Sequence, residues 1–295
     1  MLPETVAIRE VGPRDGFQNE PETIATDDKV ALIDMLARAG VRRLEVTSFD
    51  RADVIPQLAD GPEVLRRISV PHGVDVTVLI PNEHGLDHAL ALRERFQEVN
   101  CFLSASETHN RHNVNRSIED SLASLERVIG RAQAEGLRAE GVISTSFGCP
   151  YEGKVPPARV LRIAERLIAA GAANPLQVRR FFSEARAVLG DHVELTAHFH
   201  NTRGQGLANV LGALEAGCSS FESSFGELGG CPVPPRATGN IATEDLVSML
   251  HEMGISTGVN LSRLLAAARA VRDVLGRPLG SHTLAAGPVC WEPSP

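Results

Sequence analysis

The sequence predicts an α/β protein folded as a (β/α)8 TIM barrel with additional C-terminal helices. Short apolar runs alternate with amphipathic stretches, which is typical of parallel strands joined by crossover helices. The 295 residues suffice for one barrel, so we expect residues 1–295 to form a single domain. No Gly-x-Gly-x-x-Gly motif follows the first apolar run, which disfavours an open dinucleotide-binding sheet.

Each predicted strand is a run of apolar or β-branched residues that ends at glycine or polar residues. The strands are Val6–Val11, Val41–Thr47, Val74–Ile80, Val99–Leu103, Leu137–Thr145, Val193–Ala197 and Ser219–Ser223. Each predicted helix has apolar residues at helical spacing. We expect Thr26 or Asp27 to cap the first helix and Gly40 to end it. We expect Ser117 to open a capping box at the start of a later helix. The helices are Asp27–Ala39, Pro62–Ile68, Glu83–Arg93, Ser117–Glu135, Pro157–Ala170, Pro175–Leu189, Leu207–Leu214, Thr243–Met253 and Leu261–Leu275.

One strand of the barrel is absent from this pattern, because a barrel needs eight strands and the chain provides seven. Between the helices that end near Ala170 and begin at Pro175 lie only Gly171, Ala172, Ala173 and Asn174, too few for a strand and its turns. We therefore predict that the sixth strand, roughly a dozen residues, is missing between Gly171 and Pro175, with the numbering closed over it. An unbroken trace through these residues would contradict this prediction.

The composition excludes several classes of function. A formal net charge of −8 and an aromatic content of 4% disfavour a nucleic-acid partner, which needs a basic surface and stacking side chains. No apolar run is long enough to cross a membrane and no targeting segment begins the chain, so we expect a soluble, cytoplasmic protein. The five cysteines form no Cys-x-x-Cys pair, as is typical of free thiols in a reducing compartment.

The segment Thr196–Gly206 carries the main chemical signal. His198 and His200 directly follow a predicted strand and are two residues apart, so both side chains face the same side and can bind one ion. They lie at the carboxyl end of that strand, where α/β folds place their active sites. Taken alone, the pair is compatible with a metal site and with two ordinary solvated histidines.

Two further loops follow strands at the same edge of the barrel. In the first, Arg14 and Asp15 form either a surface ion pair or part of a site in which Asp15 joins the histidines on Mg²⁺ or Mn²⁺. The loop Gly226–Asn240 has glycines at its start and prolines in its middle, as expected of a lid. Within it, Cys231 is either a small apolar residue or a proton carrier, and Asn240 is either a helix cap or a metal ligand.

Together these loops resemble hydroxymethylglutaryl-CoA lyase, a family of metal-dependent barrel enzymes. The matching segments occur in the same order along nearly the whole chain: Glu10–Glu20, Glu45–Phe49, Gly148–Lys154, His198–His200, Gly229–Pro232 and Gly239–Asp245. The Gly-Cys-Pro-Tyr-Glu-Gly-Lys and Gly-Gly-Cys-Pro segments are specific to the lyase, whereas the wider superfamily shares only the Arg-Asp and His-x-His elements.

The resemblance implies a carbon–carbon lyase that cleaves 3-hydroxy-3-methylglutaryl-CoA to acetyl-CoA and acetoacetate by a retro-aldol reaction. It implies an acyl-CoA thioester as substrate, a homodimer, and a divalent cation, Mg²⁺ or Mn²⁺, as the cofactor. The four implied ligands of the cation are Asp15, His198, His200 and Asn240.

The same resemblance implies roles for residues beside the cation. Arg14 would contact the substrate and stabilise negative charge on the thioester oxygen, and Cys231 in the lid would relay a proton to the departing carbanion. Glu45 would orient the residues around the cation, and Gln18 would lie beside the substrate.

Several residues around the expected substrate depart from the family pattern. They are Phe17, Asn201, Arg203, Glu222, Glu227 and the segment Pro234–Arg236. None is an implied cation ligand, so the departures concern the acyl group more than the reaction. The alternatives are a lyase for a related 3-hydroxy acyl-CoA, such as a citramalyl-like or longer-chain ester, and an acetyl-CoA-dependent condensing enzyme of the isopropylmalate synthase kind. A non-enzymatic binding module would leave the polar rim of three loops unexplained.

Overall fold

The computed structural model describes residues 2–146, 148–149, 151–164, 175–190, 192–230 and 239–289. Strands and helices alternate along these ranges. The strands are β1 (Ala7–Glu10), β2 (Arg43–Ser48), β3 (Asp75–Leu79), β4 (Glu98–Ser104), β5 (Arg138–Ser144), β6 (Gly148–Cys149), β7 (Gly153–Lys154), β8 (Thr196–His198) and β9 (Ser220–Ser223). The α-helices are α1 (Thr26–Arg38), α2 (Gly61–Arg67), α3 (Glu83–Leu90), α4 (Glu107–Val114), α5 (Ile118–Ala134), α6 (Pro157–Ala164), α7 (Pro175–Leu189), α8 (Gly206–Glu215), α9 (Thr243–Glu252), α10 (Leu261–Leu275) and α11 (His282–Ala286). Shorter helical turns are a π-helix at Gly12–Gly16 and 3₁₀ turns at Pro56–Leu58, Arg93–Arg95 and Phe225–Glu227.

Seven of these strands form one parallel sheet in the order β5-β4-β3-β2-β1-β9-β8. The parallel α/β architecture predicted from the sequence is therefore confirmed. Within the described ranges the sheet ends at β5 and β8, which would flank a sixth barrel strand. The missing segment predicted between Gly171 and Pro175 stays a prediction, because residues 165–174 lie outside those ranges.

Each of the seven predicted strands overlaps an observed one, but some details were wrong. Ala25, not Thr26 or Asp27, is the N-cap of α1, and the hydroxyl of Thr26, the first residue of the helix, donates to Asp60 at 2.7 Å. Ser117 caps α5 as predicted, accepting the backbone N–H of Asp120. The helix predicted over Glu83–Arg93 ends at Leu90.

Three elements were not predicted: α4, α11 and the β6–β7 hairpin. Helix α4 has a polar sequence without helical apolar spacing, and it begins where the side chain of Ser106 accepts the backbone N–H of His109. The C-terminal helices expected beyond the barrel are present as α9, α10 and α11. In the ranges the structure describes, no helix is both long and apolar enough to span a membrane.

The two faces of the sheet differ in character. Apolar residues such as Leu44, Val76 and Val99 are buried in the hydrophobic core that the helices share with the strands. Other strand positions carry buried polar or charged side chains, among them Arg9 and Glu98. A barrel interior is normally filled by branched apolar residues, so this polar interior is a distinguishing feature of the chain.

Candidate active site at the carboxyl ends of the strands

The predicted site residues meet where β1, β2 and β8 end. Arg14 and Asp15 lie in the π-helical turn that follows β1, and Glu45 lies in β2. His198 ends β8, and His200, two residues on, forms an isolated bridge with Asn240. One edge of the parallel sheet thus gathers residues that are far apart in the sequence, as α/β folds do at their active sites.

The π-helical turn is anchored by a buried carboxylate, Glu10. Its Oε1 accepts the backbone N–H of Gly12 at 2.7 Å, and its Oε2 accepts the hydroxyl of Thr243 at 2.7 Å. Position 12 must be glycine, because a Cβ there would lie 2.5 Å from Cδ1 of Phe225. Burial raises the pKa of Glu10 to about 7, against the opposing effect of these hydrogen bonds.

Asp15, His198 and His200 form a group suited to a metal ion. One ligand atom from each lies within 4.8 Å of the others, and the two imidazole rings are 5.1 Å apart. Burial alone would raise the pKa of Asp15, but the positive charges of Arg14 and the two histidines lower it. Asp15 is therefore an anion close to two imidazoles, a ligand set that suits a divalent cation.

Asn240 completes this group. Its Nδ2 donates to Oδ2 of Asp15 at 2.8 Å and to the carbonyl oxygen of Leu228 at 3.1 Å. Its Oδ1 is buried without a hydrogen-bond partner, which a buried amide oxygen rarely is. Ala242, not Asn240, is the N-cap of α9. The alternative interpretation of Asn240 as a helix cap was thus wrong, and its free oxygen fits a cation ligand.

Arg14 is fixed between two carboxylates. Its Nε and Nη2 lie 2.9 Å and 2.7 Å from Oε2 of Glu45, and its Nη1 donates to Oδ1 of Asp15 at 2.8 Å. Asn100 donates to the other oxygen of Glu45 at 2.9 Å, so this fully buried carboxylate is held on both sides. Burial would lower the pKa of Arg14, but Glu45 and Asp15 raise it, so the guanidinium keeps its charge.

The two remaining predicted residues are less defined. Gln18 is half-buried one turn beyond Asp15. Cys231 belongs to residues 231–238, which lie outside the described ranges. The chain on either side of that segment is joined beside the site: the backbone N–H of Asn240 donates to the carbonyl oxygen of Leu228 at 3.4 Å. A Cβ at Gly239 would lie 1.9 Å from the carbonyl oxygen of Glu227.

A buried charged cluster that the sequence did not predict adjoins the group of Asp15, His198 and His200, which we call the metal group. Arg9 forms ion pairs with Glu98, Glu140 and Glu222, and Glu222 in turn contacts Nδ1 of His198 at 2.8 Å. A sequence signal was present, because Arg9 and Glu222 are charged residues inside predicted strands, directly after the apolar residues Ile8 and Phe221. The departure of Glu222 from the family pattern predicts a position near the substrate, whereas the structure places its carboxylate against His198.

A second group of potential metal ligands contains Glu227, Asp245 and His282. Asp245 accepts hydrogen bonds from the backbone N–H groups of His282 and Thr283 and from the hydroxyl of Ser281. These donors occupy both of its oxygens and fix the start of α11. The group is therefore explained by its structural role.

The fold and the site define an α/β barrel protein with a candidate metal site at the carboxyl ends of its strands. The chain belongs to the HMGL-like family, whose model matches residues 5–271. It is 44% identical to hydroxymethylglutaryl-CoA lyase YngG of Bacillus subtilis, covering 96% of this chain and 97% of that protein. It is 40% identical to the mitochondrial hydroxymethylglutaryl-CoA lyase of Homo sapiens, covering 95% and 89% of the two chains.

Solved structures agree with this assignment. The crystal structure of the B. subtilis HMG-CoA lyase superposes with a TM-score of 0.92 over 96% of this chain and 98% of that chain, at 44% identity. An Acinetobacter baumannii HMG-CoA lyase in complex with coenzyme A and 3-methylmalate gives a TM-score of 0.92 at 38% identity, covering 99% and 98%. The predicted family, TIM-barrel fold class and enzyme class, a carbon–carbon lyase, are confirmed.

Proposed function

We propose that the protein is a metal-dependent lyase that cleaves 3-hydroxy-3-methylglutaryl-CoA to acetyl-CoA and acetoacetate. The relatives that match nearly its whole length are named for this substrate. The observation that carries the proposal is the Arg14 guanidinium, held by Glu45 against the group of Asp15, His198, His200 and Asn240. A fixed guanidinium can stabilise the enolate that cleavage of a 3-hydroxy thioester produces, and a divalent-metal site beside it can bind the reacting hydroxyl.

The four proposed ligands would hold Mg²⁺ or Mn²⁺. Carboxylate, imidazole and amide oxygen are the ligands these ions accept, and no thiolate lies in the described part of the group. When bound, such an ion lowers the pKa of a hydroxyl that it touches and orients the substrate. The two oxygen ligands, from Asp15 and Asn240, favour Mg²⁺ or Mn²⁺, and the two imidazoles are compatible with Mn²⁺.

In the reaction a general base takes the proton of the tertiary hydroxyl, the bond between C2 and C3 breaks, and C3 becomes the ketone of acetoacetate. The electron pair of that bond forms the enolate of acetyl-CoA. Arg14 stabilises the negative charge that develops on the thioester oxygen, because its planar fork is already fixed by Glu45. Glu45 acts through Arg14 as a positioning residue.

Protonation of the enolate carbon completes the reaction, and we assign this proton to Cys231 in the lid, by resemblance to the family. Gln18, half-buried beside the turn that carries Arg14, would contact the substrate. The expected homodimer is tested by light scattering, in which a monomer at micromolar concentration would contradict it. The cytoplasmic location stays a prediction.

The substrate is tested by incubating the purified protein with Mg²⁺ or Mn²⁺ and a panel of CoA thioesters, then quantifying acetyl-CoA and the second product. The proposal expects the highest kcat/KM with 3-hydroxy-3-methylglutaryl-CoA and no activity after chelation. A higher kcat/KM with a citramalyl-like or longer ester would replace the substrate but keep the reaction. Formation of product only from acetyl-CoA and a keto acid would identify a condensing enzyme instead.

A further inference from the structure

Three charged or metal-binding residues lie side by side across neighbouring strands. In the parallel ladders Arg9 of β1 is paired with Glu222 of β9, and Glu222 is paired with His198 of β8. Paired residues on adjacent parallel strands project from the same face of the sheet. The row Arg9–Glu222–His198 therefore leads from the polar interior of the barrel to the metal group.

Glu222 bridges the other two members of the row. One of its carboxylate oxygens lies 2.8 Å from Nδ1 of His198, and the other accepts Nη1 of Arg9 at 3.2 Å. Its side chain is 5% exposed, so few water molecules compete for these contacts. With Nδ1 engaged by a carboxylate, Nε2 is the nitrogen of His198 that remains for a cation.

Arg9 explains how a carboxylate is kept charged at this depth. Arg9 is fully buried and forms further ion pairs with Glu98, at 2.9 Å, and with Glu140. One oxygen of Glu222 thus faces the cationic guanidinium of Arg9, and the other faces the imidazole of His198. A buried charge needs such partners, because removing it from water is costly.

We propose that Glu222 is a positioning residue for the metal site: it fixes the ring orientation and tautomer of His198, and Arg9 holds Glu222 in place. The inference rests on the proposed function in one respect, namely that His198 is a metal ligand. Carboxylates that accept the second N–H of a metal-binding histidine make the ring a better ligand, and their loss typically weakens metal binding about 10- to 100-fold.

The chain provides a matched control in Glu98. This residue is also buried and also pairs with Arg9, but its other contacts are Thr77, Arg43 and Arg138, not a histidine. A change at Glu98 therefore disturbs the same charged cluster without touching His198. A purely structural role for the cluster predicts equal effects at Glu98 and Glu222.

The test is Mn²⁺ affinity without substrate, measured from the electron paramagnetic resonance signal of free Mn²⁺, with thermal unfolding of each variant as a check on folding. We expect Glu222→Gln to raise the Kd for Mn²⁺ about 10- to 100-fold and Glu98→Gln to change it less than about threefold. Glu222→Asp keeps the charge and should recover part of the affinity. An unchanged Kd in Glu222→Gln, or equal changes in both Gln variants, would overturn the proposal.

A second measurement needs no variant at Glu222. Nitrogen-15 NMR of the metal-free wild-type protein at alkaline pH reports the tautomer of His198, with the resonance assigned by its loss in His198→Gln. The proposal expects the proton on Nδ1, and a proton on Nε2 would refute it. Neither readout depends on turnover, so a protein that binds Mn²⁺ as expected but cleaves no thioester would overturn only the proposed function. A wild-type protein without Mn²⁺ affinity would overturn both.

Discussion

Nη1 of Arg14 donates to Oδ1 of Asp15, the next residue in the chain, over 2.8 Å. Nε and Nη2 of the same guanidinium lie 2.9 Å and 2.7 Å from Oε2 of Glu45. The group proposed to stabilise the enolate and a proposed metal ligand are therefore locked to each other on one π-helical turn. Their relative position is set before any substrate arrives, which is the condition for strong electrostatic stabilisation.

Replacing Arg14 with lysine keeps the charge but removes the planar fork that contacts Glu45 and Asp15. We expect Arg14→Lys to lower kcat about 100- to 1,000-fold with little change in KM, since the lost contact acts mainly in the transition state. Steady-state kinetics measure this. Arg66→Lys, at an exposed position on α2, is the control and should retain full activity. A native kcat in Arg14→Lys would remove Arg14 from the mechanism.

His200 is expected to be essential for metal binding. His200→Ala removes one imidazole from the group within 4.8 Å, so Mn²⁺ affinity and activity should fall together. Calorimetric titration with Mn²⁺ and the lyase assay measure the two effects on one sample. His72→Ala, on an exposed loop, should change neither. Full activity of the native protein after exhaustive chelation would contradict the metal requirement.

Cys231 is expected to be the reactive thiol. Cys101, Cys149 and Cys218 are buried, and burial raises the pKa of Cys101 and of Cys218 to about 12, so these thiols should react slowly. In a Cys290→Ala background, iodoacetamide should therefore label Cys231 first and abolish activity, and bound substrate analogue should protect it. Mass spectrometry of the labelled peptides identifies the site. An enzyme alkylated at Cys231 with full turnover would make this cysteine a bystander.

Glu244 should make stability depend on pH. Burial raises its pKa from 4.5 to about 8, although backbone hydrogen bonds, including that of Gly226, oppose the shift. The folded protein keeps this proton where the unfolded chain loses it, so the stabilisation is complete below about pH 4.5 and is lost as the pH rises towards 8.

We expect Glu244→Gln, which mimics the protonated acid, to lose less stability than the wild type between about pH 5 and pH 8. Thermal unfolding across this range measures the difference. Glu135→Gln, at an exposed position after α5, should follow the wild-type curve. Parallel curves for Glu244→Gln and the wild type would show that Glu244 is already ionised in the folded protein.

The metal group could be predicted because its residues stand in short motifs directly after apolar strands. Period-two alternation predicts that His198 and His200 face the same side of the strand. The polar loop after the first strand predicts that Arg14 and Asp15 lie at the same edge of the sheet. The contact between Glu222 and His198 could not be predicted, because it depends on the registers of β1, β9 and β8, which join residues more than twenty positions apart. Local spacing contains no information about such registers.

Local secondary structure could not be predicted from the sequence where the side chains did not follow a periodic apolar pattern. Helix α4 is polar along most of its length, so its helical period left no apolar trace. The π-helical turn at Gly12–Gly16 depends on Glu10 accepting hydrogen bonds from Gly12 and Thr243, and Thr243 is distant in sequence. Both features became visible only with the tertiary contacts.

The hydrogen bonds of Asn240 make its position independent of the segment that precedes it. Its backbone N–H donates to the carbonyl oxygen of Leu228, and its side chain donates to Asp15 and to that same carbonyl oxygen. These contacts involve none of residues 232–238. The entropy of closing a connection between two joined points grows only slowly with its length. We therefore expect that evolution, or an engineer, can exchange residues 232–238 as a cassette of another sequence or length while Asn240 keeps its place beside Asp15.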